Sequence, residues 1–156
     1  MINIRTAAGE DLPDLLNFEQ ELIAYERRLD PTMKKDGEIN YYDLPELIAS
    51  EKSRVLIAEA NGIAVGCGFA RIEENKPKFI ERRHGYIGLV YVKEEFRRRG
   101  IAENILETLF DWLKERDVWE AMLKVYNDND AAIKAYEKIG FRTGLIEMKM
   151  SLRNGK

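Results

Sequence analysis

The chain has 156 residues, with 25 Lys and Arg against 28 Asp and Glu, a formal charge of -3, one histidine and one cysteine. That length is about one domain and can bury roughly 70% of the surface its unfolded chain exposes. The lone Cys67 excludes an internal disulfide and cannot build a metal site. His84 as the sole histidine argues against a zinc enzyme, and the mild acidity argues against bulk binding to DNA, which depends on neutralising many phosphates. The best apolar run, residues 55–70, is broken by Glu59 and Asn61, so no stretch approaches the ~20 residues of a membrane span. Residues 1–5 lack a signal-peptide layout, so the expectation is a soluble, cytoplasmic protein with no membrane and no nucleic-acid partner.

Ile2, Ile4 and Thr6 alternate with polar neighbours and predict a first strand. Residues 10–29 carry Leu12, Leu15, Leu16, Phe18, Leu22, Ile23 and Tyr25 at near-helical spacing, and Asp30-Pro31 ends that helix. Residues 31–42 read as a polar loop, after which Asp43 can cap a short helical piece with Pro45 in its first turn. Residues 54–60 and 63–72 are two β-rich runs joined by Asn61-Gly62, a hairpin signal because both turn residues tolerate positive φ. A further strand is expected over about 84–92. A helix over 99–115 follows, with Ile101, Ile105, Leu109 and Trp112 or Leu113 on one stripe. A strand at 119–126, a helix with Ile133, Tyr136 and Ile139 on one face, and a closing strand at 145–152 complete the order. Residues 127–130 offer caps for the last helix and Gly140 a left-handed stop. The pattern is α/β of the α+β kind, a mixed sheet flanked by helices.

The most informative stretch is VYVKEEFRRRGIA, residues 90–102. A strand that runs through a tight loop into a helix presents unpaired backbone N–H groups where the helix dipole also favours negative charge. Gly100 keeps that backbone approachable, Ala102 is small, and Arg97, Arg98 and Arg99 can add charge-assisted contacts to phosphate. The plain alternative is a solvated charged face. Against it, cations at a helix N-terminus oppose the dipole by up to ~1 kcal/mol unless an anion is bound there. The stretch has neither the Gly-Lys-Ser/Thr ending of a P-loop nor a Rossmann fingerprint.

Arg97-x-x-Gly100-x-Ala102 resembles the (Q/R)-x-x-G-x-(G/A) signature of the GNAT superfamily of N-acetyltransferases. Asn129-x-x-Ala132-x-x-x-Tyr136-Glu137-Lys138-x-Gly140-Phe141 is similar to a second block of that family, one helix and one strand downstream. The resemblance covers almost the whole chain and implies a single acetyltransferase domain over 1–156 with a GNAT fold, a mixed, mostly antiparallel sheet of six to seven strands flanked by helices. The implied activity is direct transfer of acetyl from acetyl-CoA to a primary amine of a small molecule or peptide, with no metal. It further implies that Val90, Tyr91 and Val92 lend backbone groups to the pantetheine arm and that Arg97, Arg98, Arg99, Gly100, Ile101 and Ala102 hold the pyrophosphate. Asn129 would contact the cofactor, and Tyr136 would be the general acid to the departing thiolate. Taken without the motif, Tyr136 on its apolar stripe would read as core.

An alkyl amine has a pKa of ~10, so about one molecule in a thousand is free base at pH 7, a deficit of roughly 4 kcal/mol that a base must help recover. Many relatives place a carboxylate on the fourth strand, at the position that Gly88 occupies here. Tyr86, on the strand face of His84 and Gly88, could orient a water or the substrate. Glu26 and Asp30 are further candidates, but the plainer reading of each is an ordinary solvated charge, as that of His84 is a surface or hydrogen-bonded residue. Residues 18–37 and 71–86 would select the acceptor. Their Glu19, Glu21, Tyr25, Glu26 and Asp30 suit a cation but stand among arginines and lysines. A non-catalytic acyl-CoA-binding module is the alternative, and exposed sheet edges are compatible with a homodimer.

Overall fold

The computed structural model describes residues 1–154. The chain divides into two compact units, Met1–Tyr126 and Asn127–Lys156.

The first unit holds a five-stranded sheet of β1 (Ile2–Thr6), β2 (Ser53–Ala60), β3 (Ile63–Glu74), β4 (Arg83–Val92) and β5 (Ala121–Met122), in that order across the sheet. The first four strands are antiparallel and β4 pairs with β5 in parallel. The Asn61-Gly62 hairpin forms as predicted, with φ of 53° and 80°. α1 (Leu12–Leu29) stops immediately before Asp30-Pro31, and α2 (Leu44–Ala49) is capped by Asp43, whose side chain accepts from the Glu46 N–H.

Along β2 and β3 the side chains alternate between faces. Val55, Ile57, Cys67 and Phe69 pack with Leu15 and Phe18 of α1 and with Leu44 and Leu47 of α2. The opposite face takes α3 (Ile101–Glu115), whose predicted stripe of Ile101, Ile105, Leu109, Trp112 and Leu113 is buried throughout. Among the described residues no helix is long and apolar enough to cross a membrane.

The sheet has five strands rather than six to seven. The strand expected at 119–126 contracts to Ala121–Met122, which pair with Gly85 and Tyr86 of β4. The strand expected at 145–152 does not form. Its alternation is real, yet a strand exists only where a neighbour fills its ladder hydrogen bonds, and the second unit contains no strand among its described residues.

That second unit is built on α4 (Asp130–Ile139). Asn129 caps it by accepting from the Ala132 N–H at 3.2 Å. Gly140, at φ 130°, lets its own N–H and that of Phe141 close back on the Tyr136 carbonyl.

Candidate active site

β4 is distorted where the sequence is most informative. Cys67 pairs with Tyr91 and Phe69 with Gly88, so the single residue Gly68 on β3 faces two residues, Leu89 and Val90, on β4. The extra residue makes a β-bulge, with Leu89 in the left-handed region at φ 50°, a conformation that costs a non-glycine residue roughly 1–2 kcal/mol. The bulge puts Leu89 and Tyr91 on the face that already carries Tyr86 and Gly88, against α1 and α2. It also follows the end of pairing with β5. From Ile87 to Val92, β4 has a strand partner only on its β3 side among the described residues.

This open edge leads into the arginine turn. Arg98 is left-handed at φ 66° and Gly100 at φ 78°, the latter directly before α3. The first i→i-4 bond of α3 is made by Asn104 to the Gly100 carbonyl at 3.0 Å, so the N–H groups of Ile101, Ala102 and Glu103 stand at the open helix end. Arg97, Arg98 and Arg99 are exposed. Arg97 folds back, donating from Nε to the Val92 carbonyl at 2.7 Å and lying 5.4 Å over the Tyr91 ring, which ties the turn to the strand end. Arg99 stacks 5.0 Å over Phe96.

Gly88 is not a vacancy waiting for a carboxylate. A Cβ there would stand 2.5 Å from Cζ of Phe69, so the aromatic ring fills the space a side chain would need. Phe69 begins a chain of rings: Tyr42 meets it edge-on at 4.9 Å and Tyr86 lies 6.3 Å away, with the Arg71 guanidinium 5.3 Å over Tyr86. Burial, with the Tyr86 hydroxyl as a second cause, holds the Tyr42 hydroxyl well above the usual phenol range.

Tyr41 and Tyr42 belong to an irregular segment that α1 holds by four side chains at a heptad spacing. Glu19 Oε2 accepts from the N–H groups of Tyr41 and Tyr42 at 2.9 and 3.0 Å, and Gln20 donates to the Ile39 carbonyl at 2.7 Å. One heptad on, Glu26 Oε1 accepts from the Tyr41 hydroxyl at 2.7 Å and Arg27 donates to the Gly37 carbonyl at 2.7 Å. Glu19, expected among the acceptor-facing acids, is fully buried instead, and its Oε1 has no hydrogen-bond partner. Burial raises its carboxyl above the usual range, and the two backbone donors only partly oppose this. The clue in the sequence was its register, four residues after Leu15 on the apolar stripe.

Glu26 is half-buried. Burial raises its carboxyl too, the Tyr41 hydrogen bond lowers it, and the charge of Asp30 raises it again. Asp30 accepts from the Tyr126 hydroxyl at 2.7 Å. His84 is buried, with Nδ1 2.5 Å from Asn75 and Nε2 3.1 Å from Glu73, and so is the hydrogen-bonded residue that the sequence allowed for. Cys67 is wholly buried, 3.3 Å from the Leu89 carbonyl, and burial pushes its thiol far above the reactive range. Tyr91 donates to Glu21 and stacks at 5.4 Å on Phe18, with its hydroxyl pushed up to about 12, chiefly by burial.

The first unit thus gathers Val90, Tyr91, Val92, the three arginines, Gly100, Ile101 and Ala102 into one strand, turn and helix start. Asn129 and Tyr136 belong to the second unit, where Tyr136 lies on α4 and packs edge-on against Phe141 at 5.8 Å. Phe69 and Tyr42 escaped the sequence reading, because only the fold brings residues 27 apart into ring contact.

Residues 17–141 match the model of the acetyltransferase (GNAT) family, and the chain belongs to that family. An uncharacterized N-acetyltransferase of Archaeoglobus fulgidus is 31% identical over 136 residues, 86% of this chain and 89% of that protein. N-alpha-acetyltransferase 30 of Saccharomyces cerevisiae is 33% identical over 91 residues, 58% of this chain, and the chain spans about half, 48%, of that relative's length. The crystal structure of a predicted acetyltransferase with acetyl-CoA from Clostridium acetobutylicum shares the fold, with a TM-score of 0.76 and 23% identity over 97% of both chains.

Proposed function

We propose that the chain is a cytoplasmic, single-domain enzyme that moves the acetyl group of acetyl-CoA directly to a primary amine of a small molecule or peptide. The observation that carries this is the open edge of β4 from Ile87 to Val92, which runs straight into the arginine turn and the N-terminus of α3. An edge with no strand partner among the described residues suits the amides of a pantetheine arm, laid beside Val90, Tyr91 and Val92 as an added strand. The turn suits its diphosphate: Arg97, Arg98 and Arg99 supply positive charge, while Gly100, Ile101 and Ala102 supply backbone donors on the positive end of the helix dipole. Asn129 contacts the cofactor and Tyr136 protonates the departing thiolate. The resemblance to N-alpha-acetyltransferases supports a peptide amino terminus as one acceptor, and nothing in residues 18–37 and 71–86 excludes a small amine.

The chemistry is one displacement. The amine lone pair forms a C–N bond to the thioester carbon, the C–S bond breaks, and the sulfur leaves as the thiol of CoA. Cys67 takes no part, because its buried thiol has no access to an acyl group.

Isothermal titration is expected to show acetyl-CoA binding, and a panel of amines with thiol detection is expected to show CoA release. Absence of binding at millimolar acetyl-CoA would end this reading. Binding without thiol release from any amine would make the chain a binding module.

A further inference from the structure

We infer that Glu26 is the proton acceptor for the incoming amine, which arrives as an ammonium ion against the ring of Tyr42. This inference rests on the acetyltransferase reading.

The family's frequent position for a base, at Gly88, is closed by the Phe69 ring. From that ring the contacts run to Tyr42 and to Tyr86. Tyr42 meets the Tyr41 ring edge-on at 5.9 Å, and the Tyr41 hydroxyl donates to Glu26 Oε1. Glu26 is therefore a half-buried carboxylate, anchored by one oxygen, beside the aromatic patch that covers Gly88 and adjoins the Leu89–Val90 bulge. The other candidates on this side are engaged elsewhere. Glu19 is sealed and bound to backbone, Asp30 accepts from Tyr126 on one oxygen and from Thr32 on the other, His84 is held between Asn75 and Glu73, and Glu21 accepts from Tyr91.

Aromatic faces attract an ammonium ion, and a carboxylate beside them supplies the counter-charge. The ammonium N–H bond breaks and its proton passes to the Glu26 carboxylate. The freed lone pair attacks the thioester carbon, the C–S bond breaks, and the sulfur takes a proton from the general acid. The second proton on the new amide nitrogen resets that acid, and Glu26 gives its own proton to water.

The charged and titratable groups that face Glu26 or its phenol partners fix the direction of the pH dependence. Asp30, from the end of α1, raises the Glu26 carboxyl, and the Tyr41 hydrogen bond lowers it. Tyr126, after β5, and Arg27, on α1, act on the Tyr41 hydroxyl, and Tyr86 on β4 acts on Tyr42. Turnover needs Glu26 unprotonated, so the rate climbs with pH through a carboxyl held above its ordinary range.

The test is kcat/KM against pH, by thiol release, for the parent, Glu26→Gln and Tyr41→Phe. Glu26→Gln keeps an oxygen for Tyr41 and should leave acetyl-CoA binding by calorimetry unchanged. With an alkyl amine at pH 7 it should lose about 100-fold in rate and the acid limb of the profile. With methoxyamine, which is neutral at that pH, it should stay within about fivefold of the parent. Tyr41→Phe removes a bond that lowers the Glu26 carboxyl and should move the acid limb to higher pH. An intact acid limb in Glu26→Gln, or equal losses with both amines, would overturn the inference while leaving the acetyltransferase reading intact. A parent that binds acetyl-CoA yet acetylates no amine would overturn both.

Discussion

Two residues carry opposite lessons. Tyr136 sits on the stripe of a short amphipathic helix and looks like packing, and only its motif assigns it a proton. Tyr136→Phe keeps the ring contact with Phe141 and is expected to lower kcat by about 100-fold while the acetyl-CoA Kd from calorimetry changes little; an undiminished kcat would remove Tyr136 from the mechanism. Gly88 looks like a deleted catalytic side chain, yet it is the partner of an aromatic ring. Gly88→Ala should cost about 1–3 kcal/mol in denaturant unfolding through overpacking on Phe69, and Phe69→Leu in the same chain should recover part of it. A glycine in a sequence states only that a side chain is absent. Whether that space is empty depends on a ring on the neighbouring strand, which no local pattern records.

At the scale of elements, the sequence was readable wherever a helix or hairpin was specified by its own residues. α1 ends at Asp30-Pro31, α2 begins at Asp43, and Asn61-Gly62 turns the hairpin, each through chemistry confined to a few neighbours. The arginine turn was legible for the same reason, because Gly100 and the start of α3 are adjacent in the chain. Residues 119–126 and 145–152 show why strands are harder, since alternation announces a willing strand and pairing decides whether it is one. The join of β1 to α1 shows a longer-range device. Arg5 grips both oxygens of Asp11, at 2.7 and 2.8 Å, as well as Glu59 on β2, while Asp11 also accepts from the Ala8 N–H. The Arg5 hydrogen bond holds the Asp11 carboxyl below its ordinary range despite burial. A depressed carboxyl stabilises the fold above its unfolded pKa of ~3.9, and that contribution is lost as pH falls through the lower folded value. Arg5→Met should therefore lower stability by about 1–3 kcal/mol at pH 7 and flatten the stability curve below pH 4, as read by urea unfolding.

At the scale of the whole molecule, the chemistry of a regular sheet is placed by irregular pieces. The bulge in β4, the left-handed turn before α3 and the Tyr41–Tyr42 segment each depart from regular structure, and each lies where a ligand or proton has a role in the proposed reaction. The family and the sheet's antiparallel plan followed from two motifs and the order of elements, whereas the neighbours of Glu26 followed only from the fold. The heptad of contacts from α1 to residues 37–42 carries one more consequence. The buried Glu19 carboxylate holds the Tyr41 and Tyr42 amides in hydrogen bonds, so although those residues lie outside any helix or strand, their deuterium uptake should be as slow as that of the helix interior beside them. Glu19→Ala should release them to exchange at the pace of an ordinary loop while the β2–β3 amides stay protected. In the parent, then, slow exchange would mark the acceptor wall as part of the scaffold, set in place before any substrate arrives.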